Sequence, residues 1–276
     1  MTLYPNAKIN LGLNIVSKRT DGYHNLETVF LPVMDLHDEL EITISEFPHF
    51  IAEGIVVDCD PKDNLILRAY ERVREHCPAV KNVSIRFKKN IPFGAGLGGG
   101  SADAAFTVLA LNRLFCLNMT NQQMEELVAP LGADCAFFIQ NKPRFAEGIG
   151  NIFSDVQQGF TEQLHNKWLL LIKPDCAVST RAAYQGIHSK TPDCQLLDAL
   201  LQPISTWQHT VHNDFEESVF PQFPVISYWK QQLLSAGALY AAMSGSGATV
   251  FGIFSNKPEI DLPTNIFSHL EQLRFM

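Results

Sequence analysis

Ile91-Pro92-Phe93-Gly94-Ala95-Gly96-Leu97-Gly98-Gly99-Gly100-Ser101-Ala102-Asp103-Ala104-Ala105 is the stretch on which the reading of this chain turns. Five of the seven residues from Gly94 to Gly100 are glycine, in a chain of 276 residues that holds 17 in all. Upstream, Val83, Ile85 and Phe87 alternate with polar residues, the period of a strand. Downstream, Ala104, Val108, Leu111 and Phe115 fall on one face of a helix. A strand, a glycine-rich loop and a helix together seat a phosphate. Glycine lets the backbone approach and turn its N–H groups inward, and the helix N-terminus adds a partial positive charge. Ser101 stands at the expected helix cap, with a hydroxyl suited to a phosphate or a magnesium ion. A plain flexible connector is the competing reading, and glycines set directly against a helix start disfavour it.

The phosphate-bearing ligand needs a separate argument. No Gly-Lys-Ser/Thr occurs here, which excludes a P-loop nucleotidase. Gly94-x-Gly96-x-x-Gly99 satisfies the dinucleotide fingerprint, so an oxidoreductase with a nicotinamide cofactor stays as a rival. That match is weak. Lys88-Lys89-Asn90 and Pro92 separate the glycines from their strand, and Thr120 to Gln123 reads as a helix start where a ribose-binding acid should end a second strand.

Working outward, Ala7, Ile9, Leu11, Leu13 and Ile15 alternate as a first strand. Asp21-Gly22 marks a turn, and strands return over 26–33 and 39–45. Asp63 is placed to cap a helix beginning at Asn64, and Thr120 with Gln123 forms a capping-box pattern. Past the turn-rich Asn141-Lys142-Pro143-Arg144, a strand is expected over Trp168–Ile172, helices near 180–187, 196–201 and 225–235, and a hairpin around Ser244-Gly245-Ser246-Gly247. A last helix is expected over 265–274. Strands and helices interleave in both halves, so the class is α+β or α/β. We set the boundary between a first lobe, 1–155, and a second, 156–276.

Lysine and arginine number 21 against 29 aspartates and glutamates, a formal charge of −8. Such a surface lacks the broad basic footprint of a nucleic-acid partner, but it allows a local anion pocket. The six cysteines form no Cys-x-x-Cys pair, which points to a reducing, cytoplasmic setting without disulfides or structural zinc. No apolar run is long enough to span a membrane. His209-x-x-His212 lacks a third ligand at a sensible spacing, so it does not read as a metal site.

The glycine stretch closely resembles the Pro-x-x-x-Gly-Leu-Gly-Ser-Ser phosphate loop of the GHMP kinases. Met243-Ser244-Gly245-Ser246-Gly247-Ala248-Thr249-Val250-Phe251, Asn213-Asp214-Phe215-Glu216 and Gly132-Ala133-Asp134 resemble further motifs of that family. Pro5-Asn6-Ala7-Lys8-Ile9-Asn10-Leu11-Gly12-Leu13, followed by Arg19-x-Asp21-Gly22-Tyr23-His24, narrows the resemblance to a branch whose acceptor alcohol carries a cytidine diphosphate group. The resemblance spans essentially the whole chain. It implies an α+β fold of two lobes, with a left-handed βαβ unit in the first and a ferredoxin-like second lobe completing the substrate cleft. It also implies phosphoryl transfer from ATP with Mg²⁺. The ATP set would be Pro92, Phe93, Gly94, Ala95, Gly96, Leu97, Gly98, Gly99, Gly100, Ser101 and Ala102, with Asn64, Leu65 and Lys89 at the adenine. Asp134 would be the base and Lys8 its partner at the reacting hydroxyl. Asn10, Tyr23, His24, Thr180 and Tyr184 would hold the acceptor, and Ser101 would touch the metal. The partners are then small molecules, with neither nucleic acid nor membrane, and monomer and homodimer both stay open.

By their own chemistry these residues have plainer readings. Asp134 suits a helix cap; in its apolar surroundings it also suits a desolvated base. Lys8 could be a solvated strand lysine and Lys89 an edge-strand one. Tyr23-His24 suits base stacking as well as an ordinary turn. Another kinase of the family, acting on homoserine or mevalonate, would not need Tyr23-His24, and a non-catalytic nucleotide-binding module would bind ATP without turning over. The chain departs from the family pattern at Cys135-Ala136, where Val/Ile-Pro is usual, and at Asn151, where an acid is usual.

Overall fold

The alternating aliphatics of the N-terminus form a long strand, β2 (Asn6–Lys18), after the short β1 (Thr2–Leu3). Every residue of β2 from Asn6 to Leu13 is buried, so its polar members face protein on both sides. The computed structural model describes residues 1–55, 60–187 and 194–275. After the Asp21-Gly22 turn come β3 (His24–His37), β4 (Glu39–Ile44), β5 (His49–Gly54), α1 (Leu65–His76) and β6 (Val83–Lys89). The glycine loop leads into α2 (Gly99–Leu114), followed by α3 (Asn121–Val128), α4 (Phe137–Gln140), β7 (Arg144–Glu147) and β8 (Ile152–Asp155). The remainder comprises α5 (Gln158–Leu164), β9 (Trp168–Lys173), α6 (Thr180–Tyr184), α7 (Leu196–Leu200), α8 (Trp207–Thr210), α9 (Phe215–Val219), α10 (Pro224–Ser235), β10 (Tyr240–Met243), β11 (Val250–Phe254) and β12 (Phe267–Gln272). The mixture is α+β.

The chain forms two compact units. One comprises 1–8, 32–93 and 98–142; the other comprises 9–31, 94–97 and 143–276. The sequence reading divides the chain once, between 155 and 156. The two compact units are each discontinuous in sequence, because β2 and β3 each begin in one and end in the other.

In the first unit the sheet runs β1-β4-β6-β5. β5 and β6 are parallel and α1 lies between them in sequence, a βαβ unit. The buried face of α1 (Ile66, Ala69, Tyr70, Val73) packs with α2, whose small Ala104 and Ala105 allow close approach. The α3 capping box forms as its sequence predicts. At α1 the cap is Asn64 rather than Asp63: its side chain accepts the N–H groups of Ile66 and Leu67.

The second unit contains the antiparallel sheet β10-β11-β9-β12, the strand order of a ferredoxin-like lobe. Leu170 and Ile172 of β9, Val250 and Phe254 of β11 and Trp229 and Leu233 of α10 share its core. β2, β3, β7 and β8 form a further sheet. The helix expected over 265–274 is absent, and Phe267–Gln272 pair with β9 as strand β12. A short amphipathic pattern fits either period. Here the unpaired edge of β9 decides, since its backbone groups need partners.

Candidate active site

The turn of α2 nearest the glycines decides what the first unit can do. Helix α2 begins at Gly99, with Gly98 in the cap position at φ 70°. Ser101 therefore lies inside the first turn and not at the cap, which corrects the sequence reading. A Cβ on Gly98 would lie 3.0 Å from Lys8 Cε, Lys8 Cγ and the Phe138 ring, so the missing side chain makes room for the lysine stem. The Lys8 ammonium reaches Asp134 Oδ2 at 3.2 Å. Lys8 is 3% exposed and Asp134 30%, so the lysine is no solvated strand residue and the carboxylate keeps one side open.

Asp134 sits in a turn closed by Cys135 N–H donating to Gly132 O. The residue capping α4 is Ala136, which removes the helix-cap reading of Asp134. Cys135, at the departure from the family pattern, is fully buried. Burial pushes its thiol up to about 12, against a smaller opposing effect of the Ser101 hydroxyl, so it is inert at neutral pH. Of the six cysteines, Cys59 lies outside the described residues and the other five are free thiols.

On the same unit Phe50, Ile55, Leu65, Phe87 and the exposed Phe93 line a largely apolar cavity of about 580 Å³, with Asn64, Lys89 and Asp103 in its wall. Asn64 and Leu65 are thus where an adenine pocket would be, though the Asn64 oxygen is already used as the α1 cap. Lys89 is not on an edge. It lies on the inner strand β6, 4% exposed, with its ammonium 2.5 Å from Asp38 Oδ2 and 2.8 Å from Asp103 Oδ2. Desolvation pulls the Lys89 pKa down, but Asp103 and Asp38 outweigh it and raise it overall. Asp103 is itself held well above the usual carboxylate range, first by burial and then by Asp38, despite the opposing lysine. The sequence reading gave neither carboxylate a role. Asp38, between β3 and β4, offered no motif, and Asp103 was quoted only as part of the helix after the glycines.

In the second unit the loop residues 94–97 meet the turn between β10 and β11. Ala95 and Leu97 are buried. Gly96 has φ 74°, and a Cβ there would collide with the Ser244 carbonyl oxygen. Ser244 Oγ donates to Gly96 O at 2.9 Å and accepts the Asn10 N–H at 3.3 Å. Thr249 N–H donates to Ala95 O. Asn213 Nδ2 donates to Met243 O at 2.7 Å and Gly245 O at 2.8 Å, which holds the turn from below. A capping box at Asn213–Glu216 does not form. Asn213 Oδ1 accepts Phe215 N–H, but the Glu216 carboxylate accepts Met243 N–H and the Lys230 ammonium. Ser244 was read as part of a hairpin turn, and the hold of Ser244 and Asn213 on the glycine loop and its neighbouring turn is long-range contact that no local pattern encodes.

Asn10 is buried, and its Nδ2 donates to Thr28 Oγ1, which donates to Gly12 O. His24 and Tyr184 stack at 4.8 Å and 16°, and Tyr184 meets Phe215 edge-on. Burial, and secondarily Lys18, lower the His24 pKa, which favours the neutral imidazole. Tyr23 stands outside this stack, 62% exposed. Thr180 Oγ1 is 3.4 Å from Ser246 Oγ. Among the described residues no cluster of three His, Cys, Asp or Glu could hold a metal, and no helix is long and apolar enough to cross a membrane.

Residues 64–142 match the GHMP kinases N terminal domain, and residues 196–262 match the GHMP kinases C terminal domain. A Bacteroides fragilis protein named 4-diphosphocytidyl-2-C-methyl-D-erythritol kinase is 52% identical over 264 residues, 94% of each chain. The crystal structure of a 4-(cytidine 5'-diphospho)-2C-methyl-D-erythritol kinase superposes with TM-score 0.77 and 29% identity, covering 92% of this chain and 90% of that one. The mevalonate kinase of Methanococcus jannaschii shares the fold, with TM-score 0.64 and 12% identity over 99% of this chain and 98% of that one. A buried lysine paired with an aspartate beside a glycine-capped helix, on a chain matched in both of its halves, makes this protein a member of the GHMP kinases, small-molecule kinases that use ATP.

Proposed function

We propose that the protein transfers the γ-phosphate of ATP to the 2-hydroxyl of 4-diphosphocytidyl-2-C-methyl-D-erythritol, a step in isoprenoid precursor synthesis by the non-mevalonate route. The observation that carries the chemistry is the Lys8–Asp134 pair packed against Gly98 at the start of α2. The 52% identity to a kinase of that name supports the acceptor.

In this reading Asp134 accepts the proton of the acceptor hydroxyl as its oxygen attacks the γ-phosphorus and the bond to the β-phosphate oxygen breaks, leaving ADP. Lys8 pairs with Asp134 and stabilises the negative charge that gathers on the transferring group. N–H groups of Gly94 to Ser101 cradle the phosphates, and the α2 N-terminus supplies positive potential without a cationic side chain. The apolar cavity with Asn64 and Leu65 receives the adenine. His24 and Tyr184 hold the cytosine, with Thr180, Tyr23 and Asn10 in support.

Magnesium in kinases is held mainly by phosphates and one or two protein oxygens, so the lack of an acidic cluster among the described residues is compatible with it. Ser101, in the first turn of α2, would offer its hydroxyl. The ion, when bound, neutralises charge on the β- and γ-phosphates. We place the reaction in the cytoplasm, which the free cysteines support.

The test is ADP release from Mg-ATP with the cytidine substrate set against homoserine, mevalonate and simple alcohols. Release with the cytidine substrate alone is expected. Faster release with one of the others would reassign the acceptor.

A further inference from the structure

Lys89, Asp38 and Asp103 form a buried triad of titratable groups to which the proposed phosphoryl transfer gives no role. Its contacts fall on the two ends of the glycine loop. At the incoming end, Asp38 Oδ1 accepts the N–H groups of Asn90 at 2.6 Å and Ile91 at 2.8 Å. At the outgoing end, Asp103 on α2 accepts from the Lys89 ammonium. A Cβ on Gly99 would lie 2.9 Å from Lys89 Nζ, so the ammonium rests against the first residue of α2. All three side chains are nearly solvent-free. Burying them is a poor route to stability, since an apolar replacement of such a group is often neutral or better.

We propose that Asp38, Lys89 and Asp103 are positioning residues that hold the incoming and outgoing ends of the phosphate loop in register. The Lys89 ammonium then acts on the phosphates through the loop and not by contact, while its side chain also reaches the wall of the cavity proposed for the adenine. This rests on the kinase reading above. Two carboxylates engage the ammonium, and the geometry it sets is that of residues 90–91 and 99–103. These residues fix where the loop starts and where the α2 N-terminus points. Misplacing reacting groups by about 1 Å can cost up to about 100-fold.

Asp103→Ala separates the possibilities. It leaves Lys89 paired with Asp38 and the incoming end held, but it frees the outgoing end. The expected result is a rise of about ten- to hundredfold in both the KM for ATP and the dissociation constant of a non-hydrolysable ATP analogue measured without acceptor. The KM of the acceptor should stay within about twofold, and Asp103→Asn, whose Oδ1 still accepts from Lys89, should restore nucleotide binding. Should Asp103→Ala fail to fold, Asp103→Leu, which fills the volume, carries the same prediction. Unchanged nucleotide affinity in the folded Asp103 variant overturns the proposal. So does a loss confined to Lys89→Met, which would make Lys89 a direct contact. A wild-type protein that binds no nucleotide would instead sink the kinase reading itself.

Discussion

Lys8 and Asp134 differ tenfold in exposure, and that asymmetry suits the roles proposed for them. The base must meet a hydroxyl arriving from solvent, whereas the cation must stay in a low-dielectric setting where its charge is felt. Asp134→Asn and Lys8→Ala are each expected to lower kcat by at least about 10²–10⁴-fold, the worth of a positioned base. Far-UV circular dichroism should stay unchanged, and near-normal turnover in either variant would contradict the assignment. At His24 the sign of the pH effect follows from its environment. A folded pKa below the unfolded one stabilises the fold at neutral pH, and that contribution disappears as pH falls through the folded value. An NMR titration of His24 should therefore show a midpoint below the ordinary histidine value; one above it would refute the half-buried stack. Because Tyr184 is in the stack and Tyr23 is outside it, Tyr184→Ala should raise the KM for the cytidine substrate more than Tyr23→Ala. An equal or reversed order would shift the base-binding role to Tyr23.

Among the elements, the glycine loop takes its shape from distant backbone. Gly96 adopts a left-handed conformation against the Ser244 carbonyl, where an alanine costs about 1–2 kcal/mol in backbone strain before the collision is counted. Gly96→Ala should lower Tm and raise the KM for ATP; a variant with both unchanged would show that the loop needs no such seat. This scale also shows what could be read from the chain. The α2 glycines, the α3 capping box and the β10–β11 hairpin are local signals and stood as expected. The β12 strand did not, because its conformation is set by the hydrogen-bonding edge of β9, almost a hundred residues away in sequence. Asp38 and Asp103 were given no role for the same reason, and Ser244 was read only as part of its hairpin and motif. Their significance lies in what they touch, while each looks ordinary beside its neighbours.

At the scale of the molecule, the net charge of −8 is reconciled with two polyanionic substrates if backbone N–H groups and a helix terminus supply the attraction and few side-chain cations are needed. The interleaving of the units has a different consequence. Residues 9–31 belong with 143–276, yet they are joined covalently to the opposite end of the chain. A protein cut after Lys142 would leave the fragment 1–142 with β3 bare where β7 should pair, an exposed strand prone to self-association. The fragment 143–276 would in turn lack β2 and β3. Neither piece should stay monomeric alone, while the two expressed together should reassemble into an active, nicked kinase. A single crossover in the gene could therefore not exchange one unit whole, because each is assembled from separated stretches of the chain.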